Sequence, residues 1–494
     1  MFEVITPEAA GIPSAEIKGF INYLNGNSFS IHSLLLMKGD KIYTEAYWKP
    51  FHRDFCHRQY SQTKSFVGIA VGLLLAEGKL SLDDKIADLF SDKTGDISDI
   101  PSELREQTVR DMLTMSTAGT CENWFKSSDT DRTHLYFSGR TKNRLPGTLW
   151  HYDSSGSQVL SSLVERLSGM PLLEYLREKL FSRTGGFESA EILKAPNGDS
   201  WGDSAMICTP RDMAIFATLL MRGGRWNGEQ LIDESYVNAA TGATVDNSED
   251  YFGSVFGLGY GYQIWRAPRG GFAFVGMGAQ LTVVIPEKEL IFVINSDTQG
   301  RQEAYDVIVN GYLSFVVDRM SDTPLPEDGE RRAELCGLVN SLELFAVKGR
   351  EESPIRERIN GATYVCEKNP MGITEFSFAF DGDTGEFRYT NSQGDKVIPF
   401  GINKNVFGKF PQLGYSNGVG REVTSDGFMY NDAVSLRFTG DNKLQLFVQI
   451  IDRYFGNFRA TFAFKGEDVV CRFNSAAENF LEEYNGEAVG HLKK

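Results

Sequence analysis

The sequence predicts an α+β fold followed by a separate β-rich domain, and three features of its patterning carry that expectation. Strand-like alternation near the N-terminus returns between residues 257 and 297. Helical periodicity dominates the interval between the two. From residue 335 onward, short alternating runs recur between turn residues at the spacing of an all-β unit. Strands at both ends of one region, with helices between, bring its termini together in one antiparallel sheet.

Taken in order, residues 30–48, SIHSLLLMKGDKIYTEAYW, alternate around Gly39-Asp40 and predict a β-hairpin. From Ser61 to about Ser182 the periodicity is helical. It begins with a buried helix closed by Gly78 and includes a helix over Ser157 to Leu180. A third helix is expected from Pro210 to Met221. Strand signals resume in GLGYGYQIW (257–265), FAFVGMGAQLTVVIP (272–286) and ELIFVINSD (289–297), and Glu303 to Met320 is again helical. The acidic, proline-bearing stretch after Met320 reads as a linker, 321–334. This divides the chain into a first domain over 1–320 and a β-rich domain over 335–494, whose closure into a barrel is one option.

Composition bounds the function. Of 494 residues, 41% are hydrophobic and 23% charged, the balance of a soluble globular chain. Sixty-six acidic against 50 basic side chains leave a net charge of -16, which argues against a polyanion-binding surface, so no nucleic acid is expected as a partner. The longest apolar stretch, Phe66 to Ala76, is about 11 residues against the roughly 20 needed to span a bilayer, so no membrane association is expected. The N-terminus lacks a basic start followed by an apolar core, and the six cysteines (Cys56, Cys121, Cys208, Cys336, Cys366, Cys471) are dispersed. Both features fit reduced thiols in a cytoplasmic protein. The six histidines show no metal-ligand spacing, so no metal is expected.

Two short motifs could carry chemistry. Ser61-Gln62-Thr63-Lys64 opens the apolar helix and is the sole S-x-x-K in the chain. Ser and Lys three apart share a helix face, and free N–H groups at a helix start can steady an oxyanion. Lys64 would serve as base if the apolar helix favours its uncharged form. A helix-capping serine beside a solvated lysine would give the same pattern, which arises by chance about once or twice in a chain this long. Tyr152, in LPGTLWHYDSSGSQVLSSLVERLSG, lies where a turn leads into an amphipathic helix, and a tyrosine near a lysine can relay a proton.

Together these segments resemble the serine β-lactamase and penicillin-binding-protein superfamily. SQTKSF followed by GLLLAEGKLSLDDKIADLF is similar to its nucleophile helix, and TVRDMLTMSTAG (108–119) to a downstream segment of class C-like members. The segment around Tyr152 matches the stretch that bears the catalytic tyrosine, and ICTPRDMAIFATLLMRGGRWNGEQLI (207–232) resembles a further structural segment. The four are collinear, and the resemblance covers roughly residues 10–320. It implies an antiparallel sheet flanked by helices plus an all-helical part, a fold of the β-lactamase/transpeptidase type.

The third family element, a strand bearing a K-T-G or H-x-G pattern, corresponds to Phe274-Val275-Gly276-Met277-Gly278-Ala279-Gln280. This puts Phe274, Gly276 and Gly278 along the substrate, with Phe274 where the family places a cation for a substrate carboxylate. That departure argues against penicillins and D-Ala-D-Ala peptides. The G-x-G-x-Q form is nearer the nylon-oligomer (aminohexanoate-dimer) hydrolase and esterase branch, where the residue after the first Gly gives a backbone N–H to the oxyanion hole, here Met277. A backbone donor tolerates any side chain.

The resemblance thus implies a serine hydrolase acting on a small-molecule amide, peptide or ester through an acyl-enzyme. Ser61 would be the nucleophile, Lys64 and Tyr152 the proton-transfer pair, and Ser61 and Met277 the oxyanion donors, with no cofactor. Two other readings stand beside it: a true β-lactamase or D,D-peptidase, and a binding protein that keeps the fold without turnover.

Overall fold

The computed structural model describes residues 2–494 apart from 96–99, 120, 122, 123, 126, 140–143, 250–253, 414–428 and 479. The chain divides into two compact units, Met1–Glu343 and Leu344–Lys494.

Among the described residues, the first unit is built on a seven-stranded sheet. Its strands run in the order Glu3–Val4, Lys41–Tyr47, Ser30–Lys38, Leu290–Asp297, Gln280–Ile285, Gly271–Gly276 and Trp265–Ala267. Leu36 lies opposite Phe292, which joins the N-terminal hairpin to the C-terminal strands as the alternation predicted. The central strands are buried at nearly every position because both faces are covered. On one face the helices Ser14–Gly26 and Ala304–Phe315 pack through Phe20, Phe292 and Tyr312, the last two rings stacked at 4.5 Å. On the other lie Thr63–Ala76 and Pro210–Met221, whose Phe66 and Phe216 stack at 4.0 Å. An aromatic pair of this kind is worth about 0.5–1.5 kcal/mol beyond its buried area.

The Thr63–Ala76 helix is buried from Thr63 to Leu74, as the apolar run that begins at Phe66 requires. Its two glycines permit close packing. A Cβ at Gly72 would come within 2.3 Å of the Tyr236 ring, and one at Gly68 within 2.7 Å of the Tyr262 carbonyl. The predicted helix over 157–180 is instead Ser154–Ser168, closed by Gly169 in the left-handed conformation, with Pro171 opening a new helix at Leu172–Leu176. The stretch 257–264 is irregular rather than a strand, and the run 272–286 is two strands around a turn at 277–279.

The expected linker differs as well. Residues 321–343 pack within the first unit: Ser321 N–H donates to Gly11 O, Leu325 N–H to Glu8 O, and the Gly329–Asn340 helix pairs Glu334 with Lys18 at 2.9 Å. The division therefore falls after Glu343, because buried Leu335 ties the helix to the first core. The second unit is a ten-stranded sheet over Thr363–Leu492. Its strand Gly394–Ile402 also pairs in parallel with Asn431–Gly440, giving a barrel-like closure. Phenylalanines from alternating positions fill its interior, with the Phe462 ring 5.0 Å from Phe378 and 5.2 Å from Phe376. Among the described residues no helix is long and apolar enough to cross a membrane, and no disulfide joins the six cysteines.

Two buried titratable sites give the units opposite responses to pH. In the first unit, Ser30 Oγ donates to His32 Nε2, His32 Nδ1 to His57 Nε2 at 2.8 Å, and His57 Nδ1 to Arg58 O. A carbonyl can only accept, so the direction of this chain follows from its end, and both rings are neutral. Burial lowers His32 well below its usual value and His57 from 6.5 to about 3. The unfolded chain therefore binds the extra proton, and stability present above about pH 6.5 is lost as pH falls. All six tryptophans lie before residue 344, so their emission reports this unit alone. Tryptophan-monitored urea unfolding should show a loss of about 2 kcal/mol between pH 7 and pH 5 from His57; an unchanged midpoint would contradict the neutral pair. In the second unit, burial outweighs the Gly408 N–H and the Lys409 charge and raises the Asp432 carboxyl to about 7. Stability tied to its proton is lost as pH rises from about 4 through 7. Asp432→Asn should raise the melting midpoint at pH 8 more than at pH 4 by circular dichroism, and equal shifts would refute this.

Candidate active site

Ser61 sits in the single 3-10 turn Tyr60–Gln62 that leads into the Thr63–Ala76 helix. Tyr60 holds a left-handed conformation, φ 47°, unusual for a non-glycine residue, with the Arg58 guanidinium 4.6 Å over its ring. Lys64, one helical turn on, is 1% exposed. Its Nζ donates to Ser61 Oγ at 2.9 Å and to Asp203 O at 2.6 Å, and stands 5.1 Å from the centre of the Tyr152 ring. Among the described residues no carboxylate forms an ion pair with it. Ser61, Lys64 and Tyr152 are therefore brought together.

Each is held by buried neighbours. The Asp203 carboxylate receives the indole N–H groups of Trp201 and Trp124, and this fixes the carbonyl that Lys64 contacts. Tyr152 stacks on Trp265 at 5.6 Å and precedes Asp153, the N-cap of the Ser154–Ser168 helix. Asp153 accepts from Gly156 N–H and, at 2.9 Å, from the Thr117 hydroxyl, anchoring the tyrosine loop to the 108–119 segment. Gln263 ties the helices together, accepting from Ser65 and Ser157 and donating to Met112 O.

The turn at 276–279 faces this group. A Cβ at Gly276 would lie 2.3 Å from Gln59 O, so the glycine allows the turn to approach the chain just before Ser61. Gly278 has φ 75°, in the glycine-favoured region. Met277 is partly exposed, and among the described residues its N–H has no acceptor. Phe274 corrects the sequence expectation. Pairing with Thr282 turns it to the opposite sheet face from Val275, where it is wholly buried 5.1 Å from Phe216. It packs in the core and does not line a substrate face.

Sequence reasoning missed a chain of three buried amides. Asn295 Nδ2 donates to Gln59 Oε1 and to Gln280 Oε1, both at 3.2 Å, while its Oδ1 accepts from Ser33. Gln59 Nε2 donates to His57 O and Cys208 O, and Gln280 Nε2 to Met277 O and Ser296 O. Gln59 stands two residues before Ser61 and Gln280 three after Met277, so the chain joins the serine turn to the glycine turn. A glutamine close to each motif was the available signal, but sequence does not separate a buried amide from a solvated one. Asp203, Trp124 and Trp201 carried no signal. Among the described residues no cluster of His, Cys, Asp and Glu could hold a metal ion.

Known proteins bear on this arrangement. A family model described as Beta-lactamase matches residues 31–310. The chain is 25% identical over 278 residues to 6-aminohexanoate-dimer hydrolase of Paenarthrobacter ureafaciens, covering 53% of this chain and 71% of that protein. It is 20% identical over 313 residues to an uncharacterized protein of Alkalihalophilus pseudofirmus, covering 56% and 87%. Among solved structures, a candidate 6-aminohexanoate-dimer hydrolase from Bacillus anthracis superposes with a TM-score of 0.53 at 17% identity, over 64% of this chain and 86% of that one. That superposition speaks for the fold, and the family model spans more than half the chain: a hydrolase of β-lactamase/transpeptidase architecture, the protein belongs to the Beta-lactamase family.

Proposed function

We propose that the protein hydrolyses a small amide, peptide or ester through an acyl-enzyme on Ser61. The observation that carries this is the 2.9 Å contact between Lys64 Nζ and Ser61 Oγ beside the Tyr152 ring. Lys64 takes the proton from Oγ as the oxygen attacks the substrate carbonyl carbon. The negative charge that develops on the carbonyl oxygen is met by the N–H groups of Ser61 and Met277. Tyr152 passes a proton to the departing amine or alkoxide as its bond to carbon breaks. Water then attacks the acyl carbon, gives its proton to the same Lys–Tyr pair, and releases the acid with Ser61 restored.

The likeness to 6-aminohexanoate-dimer hydrolase supports short linear amides with amino and carboxylate ends as the first substrates to try. Residue 274, a buried phenylalanine, offers no cation to hold a lactam carboxylate, which sets penicillins behind them.

With p-nitrophenyl acetate or the 6-aminohexanoate dimer as substrate, Ser61→Ala should lower kcat/KM by about 10⁴-fold or more while tryptophan emission and melting are retained. Tyr152→Phe should lower kcat by about 10²- to 10⁴-fold. Turnover surviving in folded Ser61→Ala would remove Ser61 as the nucleophile.

A further inference from the structure

Tyr305, on the Ala304–Phe315 helix, approaches the 276–279 turn from the side of the helix layer. Its hydroxyl donates to Gly276 O at 3.1 Å, and the N–H groups of Gly278 and Ala279 face its oxygen. The next two carbonyls of the turn are held as well. Gln280 Nε2 donates to Met277 O at 3.0 Å, while Ser296 Oγ at 2.6 Å and Thr298 N–H donate to Gly278 O. Three successive carbonyls and two of the three N–H groups are thus engaged by protein groups. Among the described residues, the Met277 N–H alone in the turn has no acceptor.

Gly276 C=O and Met277 N–H belong to one planar trans peptide and point in opposite directions. A donor fixed on the carbonyl therefore sets where the N–H points. We propose that Tyr305 is a positioning residue for the oxyanion hole: its hydroxyl locks the Gly276–Met277 peptide and occupies the competing amides, leaving the Met277 N–H aimed at the substrate. This rests on the serine-hydrolase reading above. Burial raises the Tyr305 phenol, so it stays a neutral donor at any working pH. Tyr305 is 5% exposed and packs in the core, so Tyr305→Phe deletes one hydroxyl and keeps the packing of the ring.

An oxyanion interaction is realised in the transition state and not in substrate binding, so its loss falls on kcat. For Tyr305→Phe with p-nitrophenyl acetate, kcat should drop by about 10- to 100-fold with KM within twofold of wild type. The inhibition constant for phenylboronic acid, which forms a tetrahedral adduct on a serine, should rise by the same factor. A folded variant with wild-type kcat and boronate affinity would overturn the proposal. So would losses in kcat and KM together with boronate affinity unchanged, which mark a merely structural role. Fluorophosphonate labelling of the same preparations separates the two readings. Failure to label Ser61 in the wild type would overturn the serine assignment and this proposal with it, whereas a labelled variant with wild-type kinetics would overturn only the part given to Tyr305.

Discussion

Two stretches of backbone far apart in sequence, Tyr60–Gln62 and Gly276–Ala279, must stand at a fixed separation, and a bridge of side-chain amides sets it. Asn295 gives both hydrogens of its amide to Gln59 and Gln280, and those two spend theirs on main-chain carbonyls around each turn. The bridge is made of uncharged amides. It is wholly buried, and a buried donor or acceptor that loses its partner costs about 1–3 kcal/mol. Repacking one amide would therefore expose the others to that cost, which makes the spacing stiff. The glycine at 276 is part of the same constraint, since any side chain there would meet the Gln59 carbonyl.

The remaining groups are held by packing that arises from the helices. The Thr63–Ala76 helix can lie deep in the unit because its glycines admit the Tyr236 ring and the Tyr262 carbonyl, and that depth keeps Lys64 from solvent. The Trp124–Asp203–Trp201 clamp fixes the carbonyl that Lys64 contacts, and the Asp153 cap fixes the residue after Tyr152. Sheet and helices thus bring Ser61 and Lys64 from one segment and Tyr152 from another to one place, with Lys64 and the Tyr152 loop held through neighbours that have their own buried hydrogen bonds.

Much of this was legible in the sequence. The hairpin around Gly39-Asp40 and the Pro210–Met221 helix follow from periods of 2.0 and 3.6, and the strand Leu290–Asp297 from a short apolar run, signals that tertiary contacts reinforce here. Ser61, Lys64 and Tyr152 could be picked out because spacing and segment order point to them. Phe274 misled: alternation along Gly271–Gly276 is apolar on both faces, so residue type did not tell which face it takes. The Gly329–Asn340 helix was obscured by the proline-bearing, acidic stretch before it, and its place in the first unit depends on Leu335 and the Lys18–Glu334 pair, which are long-range contacts. The amide bridge is invisible for the same reason: each link joins residues at least 15 positions apart.

The central claim is that Ser61 is the nucleophile made reactive by this framework. Intact-mass measurement after treatment with a fluorophosphonate, followed by peptide mapping, tests it most directly. The account predicts one adduct per chain in the wild type, located on Ser61 and absent from Ser61→Ala. A folded wild type that takes up no adduct, or an adduct that persists in Ser61→Ala, would contradict it.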